Sequence, residues 1–395
     1  MTERNLDFDQ LIERKGTSSL KFDFAAQRGQ PDDLLPMWVA DMDFRTSSYV
    51  QDALIHSAEH GIYGYTETGE EYFAILKGWM KNQYNWELES PDWLIKTPGI
   101  VFALAMAVKA FTRPGDAVLI QQPRYYSFAN VILSNDRKVV SNTLIDSGTN
   151  RYSIDFEDFE QKIVENDIHL FLLCNPHNPG GTVWTEEELR RMGDICLRNH
   201  VVVVSDEIHA DFVWTGRHHV FAALSPQLKE NCVICTSPGK SFNIASLQIS
   251  NIFIPNSDLR KAFQKEVDGS GYSQANGTGI FACEAAYQYG EEWLSAVRKY
   301  IYDNILYTKK FLETELPEVR MMLPEATYLV WLDFRSLGLK KAEMKELIVD
   351  KAKLWLDHGE MFGAAGSGYQ RINVACPRSV LRKALEQLRD AVKNI

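Results

Sequence analysis

Residues 201–209 read Val-Val-Val-Val-Ser-Asp-Glu-Ile-His and are the clearest sign of the fold class. Four consecutive β-branched residues followed by two acids indicate a buried strand that delivers the acids at its carboxyl end. Comparable apolar runs lie at 117–120, 169–174 and 233–236. These runs do not alternate between apolar and polar residues, as expected of parallel strands covered by helices on both faces. Because helical patterns lie between them, the sequence predicts an α/β fold.

The same pattern predicts how the chain is divided. Residues 46–285 are expected to form a large domain with a mostly parallel central sheet flanked by helices. Residues 286–395 combine a helical stretch with two short strand patterns, and are expected to form a smaller α+β domain. Residues 1–45 are expected to form an N-terminal arm that becomes part of the small domain.

Composition excludes several functional classes. The 395-residue chain carries a formal net charge of −11, which disfavours a nucleic acid or an anionic membrane as partner. The longest apolar stretch, 100–108, is too short to span a bilayer, and the first residues form no apolar signal segment. Six scattered cysteines include one CxxC pair inside an apolar run, without the further ligands that a zinc site needs. We therefore expect a cytoplasmic protein that requires no metal.

Polar residues follow the predicted strands, at the edge where parallel sheets bind ligands. Gly99 opens a helix whose free N–H groups favour a phosphate, although an ordinary helix start is the alternative. Asn178 lies in a turn with two Asn-Pro steps that either aims its amide at a ligand or simply precedes a helix near Thr185. If Asp206 points inward, it needs a cationic partner, such as a protonated pyridine nitrogen. The alternative is that Asp206 or Glu207 is solvated.

Lys240 stands in a loop of small residues directly after the run at 233–236. A lone loop lysine is usually a surface charge, and its amine forms a Schiff base only where the site lowers its pKa. His209 is either a satisfied hydrogen-bonding residue or a contact to the same ligand. The order of Asn178, Asp206 and Lys240, with intervals of 28 and 34 residues, is more specific than any of these signals alone.

These residues resemble the fold-type I (aspartate aminotransferase-like) enzymes of the aminotransferase class I/II superfamily, which bind pyridoxal 5'-phosphate (PLP). The resemblance covers nearly the whole chain. It implies that Lys240 forms the Schiff base with PLP and that Asp206 pairs with the pyridine nitrogen. Asn178 would bind the ring hydroxyl, and His209 stands where the family often has a tyrosine serving the same oxygen.

The resemblance also implies the remaining cofactor contacts. Ile208 and Tyr125 would pack on the two faces of the ring. The phosphate would be bound by three residues, Gly99, Ile100 and Ser237.

Contacts to the substrate and to a second subunit follow from the same resemblance. Arg371 would hold the carboxylate of an amino-acid substrate through a bidentate pair, with Tyr125 and Ala40 also contacting the substrate. Tyr65 would reach the phosphate of the neighbouring subunit, which implies a homodimer with shared active sites.

Within this superfamily, segments 35–44, 205–211 and 240–248 look like the cystathionine β-lyase group of the MalY/PatB type. Gln248 replaces an arginine that aminotransferases place near the phosphate, and Ser246 replaces a common glycine. The resemblance implies a carbon–sulfur β-lyase that converts cystathionine- or cysteine-type substrates to pyruvate, ammonia and a thiol or hydrogen sulfide. Two alternatives stay open. One is a PLP-dependent aminotransferase, and the other is a protein that mainly binds a regulatory protein and has incidental lyase activity.

Overall fold

The computed structural model describes residues 2–395. Its α-helices are α1 Ser48–His60, α2 Glu70–Tyr84, α3 Ile100–Phe111, α4 Tyr126–Leu133, α5 Phe156–Glu165, α6 Glu186–Arg198, α7 Pro226–Lys229, α8 Pro238–Ser241, α9 Ser257–Gly269, α10 Gly277–Tyr289, α11 Glu291–Glu315, α12 Lys341–Lys345 and α13 Arg378–Val392. Its strands are β1 Leu35–Pro36, β2 Leu94–Thr97, β3 Ala117–Gln122, β4 Lys138–Thr143, β5 Ile145–Asp146, β6 Tyr152–Ser153, β7 Leu170–Cys174, β8 Val202–Asp206, β9 Cys232–Thr236, β10 Ser250–Phe253, β11 Arg320–Met322, β12 Leu329–Asp333, β13 Leu354–Trp355, β14 Asp357–His358 and β15 Tyr369–Asn373. Short 3-10 turns and a π-helical turn at Glu346–Lys351 connect some of these elements.

Seven strands of the described chain form the large sheet, in the order β2-β10-β9-β8-β7-β3-β4. All neighbours run parallel except β10, which is antiparallel to both β2 and β9. Val203 and Val204 of β8 point into different apolar clusters, and both are fully buried. This two-sided burial explains why the strand is continuously apolar, and it confirms the predicted mostly parallel sheet flanked by helices.

A second, antiparallel sheet has the order β11-β12-β15-β14 within the described residues. Its register places Arg371 of β15 opposite Trp331 on one side and Asp357 on the other. Strand β1 pairs in parallel with β13, so residues 35–36 join an element from the C-terminal part of the chain. The division of the chain at residues 45 and 285 stays a prediction. No helix among residues 2–395 has the length and apolar character needed to cross a membrane.

Candidate active site

Three neighbouring strands of the large sheet deliver the residues singled out by their spacing. Asp206 ends β8, and the register pairs it with Cys174 at the end of β7 and with Cys235 in β9. Asn178 follows β7 and Lys240 follows β9, so both lie at the same edge as Asp206. All three side chains line one cavity of about 210 Å³. The turn that carries Asn178 also leads into α6, as the alternative interpretation had it, so the segment serves both purposes.

Most of the other residues selected from the sequence line this inner cavity as well. They are Ala40, Gly99, Ile100, Tyr125, Ile208, His209 and Ser237. Arg371 instead lines a larger outer hollow of about 730 Å³, which shares Ala40, Tyr125 and Lys240 with the inner cavity. Tyr65 is 95% exposed and lines a separate hollow, so the structure does not bring it to Lys240 within one chain.

The side chain of Lys240 is partly buried, and its amine lies against the backbone. Its Nζ donates a hydrogen bond to the carbonyl oxygen of Ala40 at 2.5 Å. Burial lowers the pKa of Lys240 to about 8; the charge of Arg371 acts in the same direction, and the carboxylates of Asp41 and Asp206 oppose it. The site therefore lowers the pKa of Lys240, as the formation of a Schiff base requires.

Asp206 points inward and is only 5% exposed. Its Oδ1 accepts a hydrogen bond from the backbone N–H of Ile208 at 3.2 Å. Burial raises the pKa of this carboxyl to about 7, although the Ile208 N–H and the nearby Lys240 amine favour the charged form. A carboxylate in this position lacks full compensation for its lost hydration, which is the environment in which a cationic ligand group is stabilised.

Glu207 is buried too, on the other side of the strand end. Its carboxylate accepts hydrogen bonds from the Ser205 hydroxyl at 2.9 Å and the Phe221 N–H at 3.0 Å. His218 Nε2 lies 2.7 Å from the second carboxylate oxygen. The alternative that one of the two acids is solvated is therefore wrong. Sequence reasoning did not identify His218 and Phe221 as partners of Glu207, because they lie 11 and 14 residues further along the chain and no sequence pattern links them to it.

Arg371 is held in place by three groups. Its guanidinium donates to Asn178 Oδ1 at 3.0 Å, to the carbonyl oxygen of Trp38 at 3.3 Å and to the carboxylate of Asp357. Burial raises the pKa of the Asp357 carboxyl, and the Arg371 charge opposes that shift. Among the described residues, the Nε of Arg371 has no hydrogen-bond partner. Sequence reasoning missed Asp357, whose only signal is its place after the apolar residues 354–356.

His209 presents a free ring nitrogen. The residue is 4% exposed, and burial lowers its pKa to about 3, with the charges of Lys240 and Arg371 adding to the effect. The imidazole is therefore neutral at physiological pH. Its Nδ1 has no hydrogen-bond partner within residues 2–395. The ring packs edge-to-face on Tyr328 at 6.0 Å between centroids. A buried ring nitrogen without a partner indicates that His209 contacts a ligand and is not a structural histidine with all its hydrogen bonds satisfied.

The amino end of α3 opens onto the inner cavity. Gly99 is its N-cap, and no described side chain caps this end, so N–H groups remain free for an anion. The Ser237 hydroxyl donates to the carbonyl oxygen of Ile249 at 2.8 Å, so its hydrogen is already engaged. Gln248, the residue that departs from the aminotransferase pattern, also lines the cavity and brings no charge.

Two asparagines fix the segment 38–44 between the two sheets. Asn373 Nδ2 donates to two carbonyl oxygens of this segment at 2.6 Å each. Asn243 accepts from one of its N–H groups and donates to two further carbonyl oxygens, all at 2.9 Å. Because Asn243 follows Lys240 by three residues and Asn373 follows Arg371 by two, the segment links both cationic side chains. Neither asparagine was identified from the sequence as a site residue.

The fold and this set of side chains define the class of protein. Residues 40–388 match the family model described as aminotransferase class I and II. The chain belongs to the aminotransferase class I and II family.

Its similarity to particular relatives extends over the full chain. Cystathionine β-lyase PatB of Bacillus subtilis strain 168 is 41% identical over 388 residues, which are 98% of this chain and 100% of that protein. Cystalysin of Treponema denticola, solved with pyridoxal 5'-phosphate, superposes with a TM-score of 0.94 at 37% identity, covering 98% of this chain and 99% of that one. A PLP-bound putative aminotransferase of Clostridium difficile 630 gives the same TM-score and coverage at 38% identity. These matches confirm the predicted fold-type I architecture.

Proposed function

We propose that this chain is a PLP-dependent carbon–sulfur β-lyase that acts on cystathionine- or cysteine-type substrates and releases pyruvate, ammonia and a thiol or hydrogen sulfide. The observation that carries the proposal is the convergence of Lys240, Asp206 and Asn178 on one buried cavity. The choice of a lyase is supported by the 41% identity to a relative named cystathionine β-lyase.

The lining of the inner cavity fits PLP chemically. It offers a partly buried amine that can react with an aldehyde, a buried carboxylate that suits a protonated pyridine nitrogen, and a free helix end that suits a phosphate. The unpartnered Nδ1 of His209 and the NH2 group of Asn178, whose Oδ1 is engaged by Arg371, are available to the ring hydroxyl. Ile208 and Tyr125 supply apolar surfaces for the ring.

When bound, PLP supplies an electron-withdrawing ring that stabilises the charge released at the substrate Cα. Asp206 would hold a proton on the ring nitrogen, because a buried carboxylate is best compensated by a hydrogen-bonded cation. Lys240 removes the Cα proton as general base, and a pKa of about 8 leaves part of its amine neutral at physiological pH. The electron pair left at Cα then forms a Cα–Cβ double bond while the Cβ–S bond breaks and the thiolate leaves and takes up a proton. Hydrolysis of the remaining unsaturated amine gives pyruvate and ammonia.

Arg371 binds the substrate carboxylate in this proposal. Asp357, Asn178 and the Trp38 carbonyl take three of the five N–H groups of its guanidinium, so two N–H groups remain for the substrate, one of them on Nε. Ala40 and Tyr125 stand where the inner and outer spaces meet, next to the position of the substrate.

Tyr65 serves the phosphate of a second subunit in the same proposal. Its 95% exposure, within a hollow that also exposes Tyr63 and Ile62, is supporting evidence for a homodimer with shared sites. The proposed location of the enzyme is the cytoplasm.

The decisive experiment measures reaction type. The purified protein is incubated with PLP and L-cystathionine, without any keto acid, and pyruvate, ammonia and homocysteine are measured together. A lyase forms the three products in equal amounts over many turnovers. A protein that forms no pyruvate, and turns over only when 2-oxoglutarate is added, is an aminotransferase with the same cofactor site.

A further inference from the structure

A buried carboxylate outside the cavity connects the two loops that carry Asp206 and Lys240. Asp211 closes the turn that follows β8, and it is 7% exposed. One carboxylate oxygen accepts a hydrogen bond from the hydroxyl of Ser241, and the other accepts from the hydroxyl of Tyr84. Ser241 is fully buried and directly follows Lys240 in the sequence.

The turn that carries Lys240 has little backbone structure of its own. Helix α8 is only four residues long, and at its end the Phe242 N–H donates to Pro238 O at 2.9 Å and the Ile244 N–H to Gly239 O at 3.0 Å. A single helical turn is not stable in isolation. Its orientation therefore depends on side-chain contacts, and the Ser241 hydroxyl supplies one of them.

The carboxylate of Asp211 is costly to bury, and its hydrogen-bond partners Ser241 and Tyr84 do not line the inner cavity. Burial raises its pKa, although the hydroxyls of Ser241 and Tyr84 and the charges of Arg298 and His218 favour the ionised form. Hydrogen bonds to an ionised acceptor are about twice as strong as neutral ones, so the contact from Ser241 is well suited to fix a geometry.

We propose that Asp211 is a positioning residue for Lys240. Through the Ser241 hydroxyl, it sets the orientation of the Lys240 turn relative to the loop that carries Asp206 and His209. The proposal rests on the proposed function, because the positioned amine is the group that accepts the Cα proton. The relative placement of Lys240 and Asp206 is then fixed behind the cavity wall, independently of the ligand.

The test uses Ser241→Ala and Asp211→Asn in the holoenzyme, with Ser205→Ala as the matched control. The control also removes a fully buried serine hydroxyl from a buried carboxylate, that of Glu207. Ser205 lies in β8, however, whose backbone is paired with β7 and β9, so its geometry does not depend on the hydroxyl.

We expect Ser241→Ala and Asp211→Asn to lower kcat at least tenfold, up to the roughly 100-fold effect of a 1 Å misplacement. The KM for L-cystathionine should change less than about twofold, because Arg371 is not affected. Stopped-flow absorbance should also show that the cofactor-free variants link PLP to Lys240 at least about tenfold more slowly. The control should stay within about twofold of wild type in all three measurements.

An unchanged kcat together with an unchanged linkage rate overturns the proposal, and so does an equal loss in Ser205→Ala. If Asp211→Asn does not fold, the kcat and the linkage rate of Ser241→Ala alone decide whether the proposal holds. A wild-type protein that releases no pyruvate contradicts the proposed function but not the positioning role, because the linkage rate is measured without any amino-acid substrate.

Discussion

The electrostatics of Asp206 lead to a quantitative prediction for the cofactor-free protein. Burial raises the pKa of this carboxyl from its usual 3.8 to about 7 in the folded chain. Between these two values the folded state binds a proton that the unfolded state has lost, so stability falls as the pH rises. Each pKa unit corresponds to about 1.36 kcal/mol, and the total loss from this group is therefore about 4 kcal/mol. The loss is complete above pH ~7 and absent below pH ~4.

Asp206→Asn removes this titration. The free energy of unfolding of the cofactor-free variant, relative to wild type, should therefore rise by about 4 kcal/mol between pH 4 and pH 7.5. Urea unfolding at fixed protein concentration measures the difference at several pH values. Asp167→Asn changes the same net charge at a side chain that is 93% exposed, and is the control for nonspecific charge effects.

With PLP bound, wild type should be more stable than Asp206→Asn at neutral pH, because only the carboxylate stabilises a protonated ring nitrogen. The variant should retain PLP and lose most of its activity. A stability difference that is constant with pH, or a variant with near-normal turnover, would show that Asp206 is not the inward acid of the mechanism.

Other predictions concern single side chains. Borohydride reduction of the holoenzyme should bleach its yellow colour irreversibly and place the label on Lys240; a peptide map with the label on another lysine contradicts the assignment. Arg371→Ala should weaken amino-acid binding by about 1.5–3 kcal/mol, measured as KM, and destabilise the fold by about 3 kcal/mol because Asp357 keeps an unpaired buried charge. An unchanged KM would assign the carboxylate to another residue. Inactive Lys240→Ala and Tyr65→Phe subunits should regain activity when mixed, since a hybrid dimer has one site free of both changes; no recovery after verified subunit exchange argues against shared sites.

Four adjacent strands of the large sheet, β9, β8, β7 and β3, could be predicted because their sequences are nearly all apolar. The run at 201–205 differs from β8 by one residue at each end, and residues 233–236 differ from β9 by one residue. Strands β2, β4 and β10 were missed. Strand β10 has four residues that include Ser250 and Asn251, and it carries no long apolar run. It also runs antiparallel to both of its neighbours, and no local pattern specifies that direction.

Partners of buried charges could not be predicted in the same way. Asp357 meets Arg371 only because β14 pairs with β15 in one register, and a sequence does not specify that register. Asn243 meets a segment 199 to 201 residues earlier in the chain. A short polar side chain carries no periodic signal, so its contacts depend on the tertiary fold alone. Lys240 and Asp206 could be singled out because each stands at or just after the end of an apolar strand run, and the resemblance then specified their roles.

The opposite shifts of Lys240 and Asp206 have one physical cause and one consequence. Burial lowers the pKa of the amine to about 8 and raises that of the carboxyl to about 7, so each group is driven toward its neutral form. Their mutual attraction acts against both shifts but does not cancel the cost of desolvation. A ligand that reacts with the neutral amine and brings a cation to the carboxylate removes both penalties at once. PLP would do both, because its aldehyde reacts with the amine of Lys240 and its protonated ring nitrogen would pair with the carboxylate of Asp206. The opposite pKa shifts of these two residues in one cavity therefore favour this cofactor.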